Sequence, residues 1–108
     1  MGFRYRLHVR RLVGTPDIVL PRHRKVIFVH GCFWHGHEGC ARSKRPATNK
    51  KFWNIKIDAN IERDRKVREE LADAGWEILV VWECETKEQN NLAEKLCEFM
   101  ATKESQQR

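Results

Sequence analysis

The sequence lacks any apolar run of membrane-spanning length, and its first residues, MGFRYRLHVRR, contain no signal-peptide apolar segment. It also has no internal repeat and no low-complexity segment. A length of 108 residues suits one domain, so we expect a single domain over residues 1–108 with a frayed tail from about residue 101. These absences argue against a membrane partner and favour a soluble, cytoplasmic, intracellular protein.

Acidic residues are scarce relative to basic ones. The chain has 15 Asp and Glu against 21 Lys and Arg, which gives a net charge of +6. This balance indicates a polyanionic partner, with nucleic acid as the first candidate. A basic protein without such a partner is the alternative.

Four segments have the hydrophobic pattern of β-strands. Residues 3–9 alternate between apolar and mostly basic side chains, as in a half-buried strand. A short β-branched strand is predicted over 17–20. The segment 25–30, KVIFVH, is apolar enough to be a central strand, and 76–82, WEILVVW, predicts a further, internal strand.

Two segments have helical spacing of apolar residues. A basic loop over 40–51 precedes a predicted helix over 52–74 that ends at Gly75. A shorter helix is predicted over 92–100. The resulting order, β-β-β-loop-α-β-α, predicts an α/β fold with a mixed central sheet flanked by helices.

No C-x-x-C pair is present, yet residues 30–40, HGCFWHGHEGC, hold three histidines and two cysteines. Zinc favours tetrahedral sites of thiolates and imidazoles, and a structural metal would help to stabilise so small a core. The candidate ligands are Cys32, Cys40 and Cys84 with one of His30, His35 and His37. Spacing does not select the histidine, and the two left over suit general base chemistry. The alternative is buried free cysteines, which is what we expect of Cys97 in the last helix.

Two aspartates stand out by position. Asp17 follows Pro16 at a strand start, beside the end of KVIFVH, as in PD-(D/E)xK nucleases, where an Asp holds Mg²⁺. The following strand lacks the acid and lysine of that pattern, so an Asp that caps a turn is the alternative. Asp64 falls within the apolar stripe of the long helix. A carboxylate on that face needs a partner, and an arginine at the edge of the stripe is the first candidate.

Large aromatic residues lie close to the basic loop. Phe33 and Trp34 are adjacent within the Cys/His segment, and Trp53 follows the basic run. Aromatic side chains flanked by Lys and Arg can stack on bases or wedge between them. The alternative is that they fold back onto the core, as we expect of Trp76 and Trp82.

Three segments together resemble the very-short-patch-repair (Vsr) mismatch endonucleases. They are GTPDIVLPRHRKVIFVHGCFWHGHEGC, KKFWNIKIDANIERDRK and GWEILVVWEC. The resemblance implies a restriction-endonuclease-like fold of the PD-(D/E)xK type with a structural zinc. It also implies a Mg²⁺-dependent endonuclease that nicks one strand 5′ to the thymine of a T:G mismatch and initiates very short patch repair.

The resemblance further implies roles for individual residues. Asp17 would bind Mg²⁺, His35 would be the general base, and His30 would lie by the phosphate and assist electrostatically. Asp64 would orient a catalytic histidine. The implied zinc ligands are Cys32, His37, Cys40 and Cys84, and the implied DNA contacts are Phe33, Trp34, Trp53, Lys50 and Lys51.

The chain departs from the family pattern in two ways. Members normally carry an N-terminal helical segment that adds a glutamate to the catalytic site, and we expect this chain to lack it. Glu38 and Gly39 separate His37 from Cys40, one residue more than in some relatives, and glycine can absorb such an insertion. The alternatives are therefore a zinc-stabilised DNA-binding domain without catalysis, or a nuclease of other specificity. The implied partner is double-stranded DNA, bound by a nucleoid-associated monomer, with other mismatch-repair proteins as further partners.

Overall fold

The computed structural model describes residues 5–101. A four-stranded sheet has the spatial order β1 (Arg6–Leu7), β2 (Ile18–Leu20), β3 (Lys25–His30) and β4 (Glu77–Trp82). Strands β1, β2 and β3 pair antiparallel, and β3 pairs with β4 in parallel. The helices are α1 (Lys50–Asp73) and α2 (Gln89–Ala101), and 3₁₀ turns cover Pro21–His23, Ala41–Ser43 and Glu83–Lys87. The predicted element order and mixed α/β class are confirmed, and no described helix could cross a membrane.

Strand β3 is central, as predicted. It is buried at every position except Val29. Its first residue, Lys25, is buried and places Nζ 2.9 Å from Oε1 of Glu77, its register partner on β4. A buried ammonium group needs such a partner, because an unpaired buried charge costs several kcal/mol. This ion pair aligns the first residues of the two parallel strands.

The two helices cover opposite faces of the sheet, as the alternation of strand side chains requires. Leu71 and Val67 of α1 pack against Val19, Val26 and Phe28. On the other face, Leu20, Ile27 and Val81 pack against α2, through Leu92, Leu96, Phe99 and Met100. His30, two residues after Phe28, therefore lies on the α1 face.

Helix α2 also satisfies the outer edge of β4. Lys95 donates from Nζ to the Val80 carbonyl at 3.0 Å and to both carboxylate oxygens of Glu85 at 2.8 Å. Glu85 Oε1 accepts the Trp82 backbone N–H at 2.8 Å. Burial opposes it, but Lys95 and this N–H together lower the pKa of the Glu85 carboxyl. Lys95 and Glu85 thus occupy a carbonyl and an N–H of β4 that could otherwise pair with another strand.

Three expectations about these elements are wrong. The first strand is only two residues long, because His8 adopts a positive φ of 50°, and Tyr5 and Leu7 are exposed; residues 3 and 4 lie outside the described part. Strand β4 lies at the edge of the described sheet rather than inside it. Cys97 is exposed, since α2 packs through its other side chains.

Gly14 is required where the chain crosses α1. Its φ is +78°, and a Cβ atom there would lie 2.5 Å from Cγ1 of Val67 and 3.4 Å from Cε1 of Phe28. Gly39 has nearly the same φ, +76°, but nothing lies within 4 Å of its Cβ position. Comparing alanine substitutions at the two glycines therefore distinguishes the cost of backbone strain from the cost of steric overlap.

We expect Gly14→Ala to lower the free energy of unfolding more than Gly39→Ala. Both variants carry a left-handed penalty of roughly 1–2 kcal/mol. Gly14→Ala adds an overpacking cost of about 1–3 kcal/mol, because Val67 and Phe28 are fixed in the core. Urea denaturation of both variants measures the difference, and equal losses would contradict the close approach.

Candidate metal centre and cleft

The segment after β3, residues 31–40, forms a compact site loop. Backbone hydrogen bonds run from His35 N to Gly31 O at 3.1 Å and from His37 N to Cys32 O at 2.9 Å. Gly36, with φ +60°, lies so close to α1 that a Cβ atom would be 3.2 Å from Ile57. Asn60 on α1 donates to the Trp34 carbonyl at 2.9 Å. The loop is therefore fixed both internally and against α1.

Four potential metal ligands converge beneath this loop. Cys32, His37, Cys40 and Cys84 each offer a donor atom, and these atoms all lie within 4.8 Å of one another. Cys84 arrives from the end of β4, and its backbone N–H points at Cys32 Sγ, 3.4 Å away. Ser43 donates from Oγ to the carbonyls of His37 and Cys40, at 2.7 Å each. The cluster thus ties the site loop to the end of β4.

The donor set fits a tetrahedral metal ion. Zinc–sulfur and zinc–nitrogen bonds of typical length place a sulfur and a nitrogen ligand roughly 3.6 Å apart. Cys84 Sγ and His37 Nδ1 are 3.6 Å apart. Burial, then hydrogen bonds with the thiols of Cys32 and Cys40, and finally charge repulsion from them, raise the pKa of Cys84 to about 11. A divalent cation would remove that repulsion, so the cluster is a candidate metal centre.

A second group of polar side chains lines a cleft of about 320 Å³ between α1 and the ends of β2 and β3. It contains Asp17, His30, His35 and Asp64. The rings of His30 and His35 are stacked, with centroids 3.9 Å apart and planes 4° apart. His35 Nδ1 is 2.6 Å from Asp64 Oδ2. Among the described residues, Asp64 therefore pairs with a histidine, as the resemblance implied, rather than with the arginine that the helix pattern favoured.

His30 is the most buried of these four polar side chains, with 7% of its surface exposed. Its Nδ1 has no hydrogen-bond partner among residues 5–101. Burial, and then the nearby His35, lower the pKa of His30 to about 4, although Asp64 and Asp17 oppose the shift. The imidazole is therefore neutral near pH 7.

Asp17 is held at the opening of the cleft by the sheet. Its Oδ2 accepts the backbone N–H of Val29 at 2.7 Å, and its Oδ1 lies 3.6 Å from His8 Nδ1. The carboxylate is one-third exposed. It can therefore reach a ligand in the cleft while its backbone position is fixed between β1 and β3.

The aromatic residues form one cluster on the outer side of the site loop. Phe33, Trp34 and Trp53 contact one another with ring centroids 5.3–5.7 Å apart. Trp34 is 47% exposed, and Phe52, against Trp53, is 58% exposed. Lys50 and Lys51 begin α1 close by in sequence, in a first turn without acidic residues. These side chains present an apolar surface with positive charge beside it.

Sequence reasoning missed several neighbours of the site. Trp82, expected in the core, is half-buried and stacks on His37 with centroids 4.1 Å apart; its edge meets His30. Its place on the site face follows from the parallel register with His30, which only the strand pairing reveals. His8 beside Asp17 and Phe52 beside Trp53 were also missed. Trp76 does pack on the core as expected, covered by Arg24 at 4.5 Å.

Comparison with known proteins gives consistent matches. The sequence model of the family described as DNA mismatch endonuclease Vsr matches residues 1–42. The type II nicking enzyme V.XorIIP of Xanthomonas oryzae pv. oryzae is 48% identical over 96 residues, which are 89% of this chain and 70% of that protein. V.NmeAIP of Neisseria meningitidis is 48% identical, over 88% of this chain and 67% of that protein. DNA mismatch endonuclease Vsr of Escherichia coli is 44% identical, over 87% of this chain and 60% of that protein.

We expect Cys84→Ser to lose bound metal and to lower the free energy of unfolding by several kcal/mol. The fourth ligand comes from a different strand, and the free energy of structural metal binding is also free energy of folding. Elemental analysis of the purified protein and thermal melts measure both effects. Cys97→Ser is the matched control, because that thiol is exposed on α2. Equal metal content in the two variants would exclude Cys84 as a ligand.

Proposed function

This chain belongs to the Vsr family of DNA mismatch endonucleases, and from that premise we propose that it is a Mg²⁺-dependent enzyme that nicks one DNA strand 5′ to the thymine of a T:G mismatch. The nick would initiate very short patch repair. The proposal includes the restriction-endonuclease-like fold of the PD-(D/E)xK type, to which a mixed sheet with Asp17 at the start of β2 corresponds.

The observation that carries the proposal is the cleft. One cleft contains a carboxylate just before β2, imidazoles at the end of β3 and on the site loop, and a second carboxylate on α1, beside an exposed aromatic cluster. Hydrolysis of a phosphodiester needs a site for a hard cation, a base for water and a means of placing the DNA. All three kinds of group occur in this one region.

Asp17 is the residue proposed to hold Mg²⁺. Its carboxylate lines the cleft and is one-third exposed, and Mg²⁺ is usually bound by one or two carboxylates together with water and substrate phosphates. When bound, Mg²⁺ neutralises phosphate charge and polarises the phosphodiester towards attack. The hydrogen bond from Val29 N–H keeps the carboxylate in place.

His35 is the proposed general base. Its Nδ1–H donates to Asp64, which leaves Nε2 to accept the proton of the attacking water. Asp64 then acts through His35, because it fixes the tautomer and favours the imidazolium that forms. The water oxygen forms the new bond to phosphorus as the bond to the leaving oxygen breaks. His30, stacked on His35, would lie by the phosphate and assist electrostatically.

The proposed metal of the four-ligand centre is zinc, held by Cys32, His37, Cys40 and Cys84. Thiolates with one imidazole and no open position are typical of structural zinc sites. Its role would be to hold the site loop in one conformation. His35 and Trp34 lie on that loop between the first two ligands, so fixing the ligands also fixes the base and the exposed aromatic.

The aromatic cluster is proposed to enter the DNA beside the mismatch. Phe33 and Trp53 support Trp34 from two sides, so the exposed ring is pre-organised and loses little conformational entropy on insertion. A mismatched pair is cheaper to unstack than a matched one, which gives selectivity. Lys50 and Lys51, at the positive end of α1, would bind phosphates.

The wider setting is proposed from the same premise. We propose a single-domain, cytoplasmic, nucleoid-associated monomer that acts on double-stranded DNA, with other mismatch-repair proteins as further partners. The chain spans about 60–70% of the length of the relatives named above, so the activity of a whole family member is itself part of the proposal.

We expect Asp17→Ala to reduce Mg²⁺-dependent nicking of a duplex with one T:G mismatch by about 10³-fold or more, since metal-assisted charge stabilisation supplies several kcal/mol. A strand-nicking assay on a denaturing gel measures it, and a matched duplex reports mismatch dependence. Asp73→Ala, at the exposed end of α1, is the control for loss of one carboxylate.

Two results would change the assignment. Normal cutting by Asp17→Ala would contradict the nuclease mechanism. A wild-type chain that is folded and metal-loaded and binds DNA, but nicks nothing, would favour the alternative of a zinc-stabilised DNA-binding domain.

We expect Trp34→Ala to weaken binding to the T:G duplex by about tenfold or more and to weaken binding to the matched duplex less, because stacking contributes roughly 1–3 kcal/mol per base. Fluorescence anisotropy in Ca²⁺ measures binding to both duplexes. Tyr5→Ala removes another exposed aromatic, 61% accessible, and should change neither. Equal losses on both duplexes for Trp34→Ala would indicate general stacking instead.

A further inference from the structure

The carboxylates in the proposed catalytic cleft would repel a DNA phosphate. Asp17 and Asp64 bring two negative charges to a cavity meant for a phosphodiester, which is itself an anion. Charge on the phosphate oxygens rises further as the water attacks. One hard cation at Asp17 offsets part of this repulsion, but the α1 wall of the cleft also needs positive charge next to Asp64.

Helix α1 supplies that charge through Arg63 and Arg68, which both line the cleft. Arg68 lies one turn after Asp64, so the two side chains share a helix face. Arg63 is partly engaged, since its Nη1 donates to Asn60 at 3.3 Å. Arg68 makes no hydrogen bond and no ion pair with any residue of the described range 5–101.

Arg65 on the same helix is paired with carboxylates, so the absence of such partners at Arg68 within the described range is specific to its position. Arg65, on the same helix, makes ion pairs with Glu62 and Glu69, and these carboxylates raise its pKa. Charged side chains at helical spacing usually pair in this way on a solvated face. Arg68, by comparison, keeps its five donors available beside the cleft.

Arg68 is also close enough to the reacting groups to act on them. Arg68 lines the same cleft of about 320 Å³ as His30 and His35. A guanidinium at such a place can form a bidentate, charge-assisted contact with a phosphate.

We propose that Arg68 binds the phosphate that is cut, through its guanidinium, and stabilises the negative charge that develops on the phosphate oxygens. This inference rests on the proposed nuclease function and adds a substrate-contacting residue to it. Arg68 would complete a cleft with a carboxylate for Mg²⁺ at one strand end and a cation on the helix wall.

The first test measures phosphate contact without catalysis. Binding of the full, metal-loaded chain to the T:G duplex is titrated in Ca²⁺ over a range of salt concentrations. Arg68→Ala should reduce the slope of log Kd against log salt by roughly 0.9, the value for one lost phosphate contact. Arg65→Ala removes the same charge from the same helix and should leave the slope unchanged. Both side chains are exposed, so both variants should fold.

The second test measures single-turnover nicking at saturating protein. Arg68→Ala should lower the rate by about 10²-fold, the loss seen when one donor to a transition-state oxyanion is removed. Arg68→Lys should recover part of the rate, because it restores charge without the bidentate fork. Arg65→Ala should stay within about twofold of wild type on this scale.

The outcomes separate this inference from the proposed function. A salt slope for Arg68→Ala equal to that of Arg65→Ala overturns the phosphate contact, whatever the rates. An altered slope with an unchanged rate also overturns it, because Arg68 would then bind a phosphate that is not cut. If the wild-type chain fails to nick, the nuclease proposal falls, and the salt slope alone still decides whether Arg68 contacts DNA.

Discussion

The parallel pairing of β3 with β4 is the constraint on which the site depends. Parallel strands end at the same edge of a sheet, and here the register places His30 beside Trp82. Cys32 and Cys84 each follow two residues later, so they meet without a long connecting loop. The ion pair of Lys25 and Glu77 aligns the opposite ends of the strands. A shift of β4 by one residue against β3 would separate the two thiols and turn Trp82 to the other face of the sheet.

The site loop is held on two sides, so Trp34 and His35 are fixed together. On the sheet side, the four-ligand cluster fixes it to the end of β4. On the helix side, Gly36 packs on Ile57 and His35 bonds to Asp64. Trp34 lies directly before His35, so an exposed aromatic ring and a partly buried imidazole share one short segment. Under the proposed function, a shift of the ring on DNA would move the imidazole as well and would couple cutting to insertion.

The sequence allowed the element order, the central strand and the Cys/His cluster to be predicted, because these depend on local pattern and on ligand chemistry. Long-range pairing was less accessible. Asp64 lies 29 residues from His35, and nothing in helical periodicity distinguishes a histidine partner from an arginine. Trp82 has the same local pattern as a core tryptophan, and only its register against His30 puts it over His37. The exposure of Cys97 depends on which face of α2 packs against the sheet, and helical periodicity alone does not determine that face.

The two clusters of histidine with acidic or thiol groups differ in what they can bind. The donor atoms of His30, His35 and Asp64 also lie within 4.8 Å of one another. However, the two rings are stacked with planes only 4° apart, so their nitrogen lone pairs lie in parallel planes. A metal ion bound in the plane of one ring would lie out of the plane of the other, and metal–imidazole bonds require the in-plane lone pair. The stacked pair is therefore poorly suited to closing around a metal ion, whereas the Cys32 cluster, whose donors come from a loop and a separate strand end, can surround one. Asp17 and the arginines of α1 line the same cleft as the stacked pair, where the proposed DNA phosphate would bind.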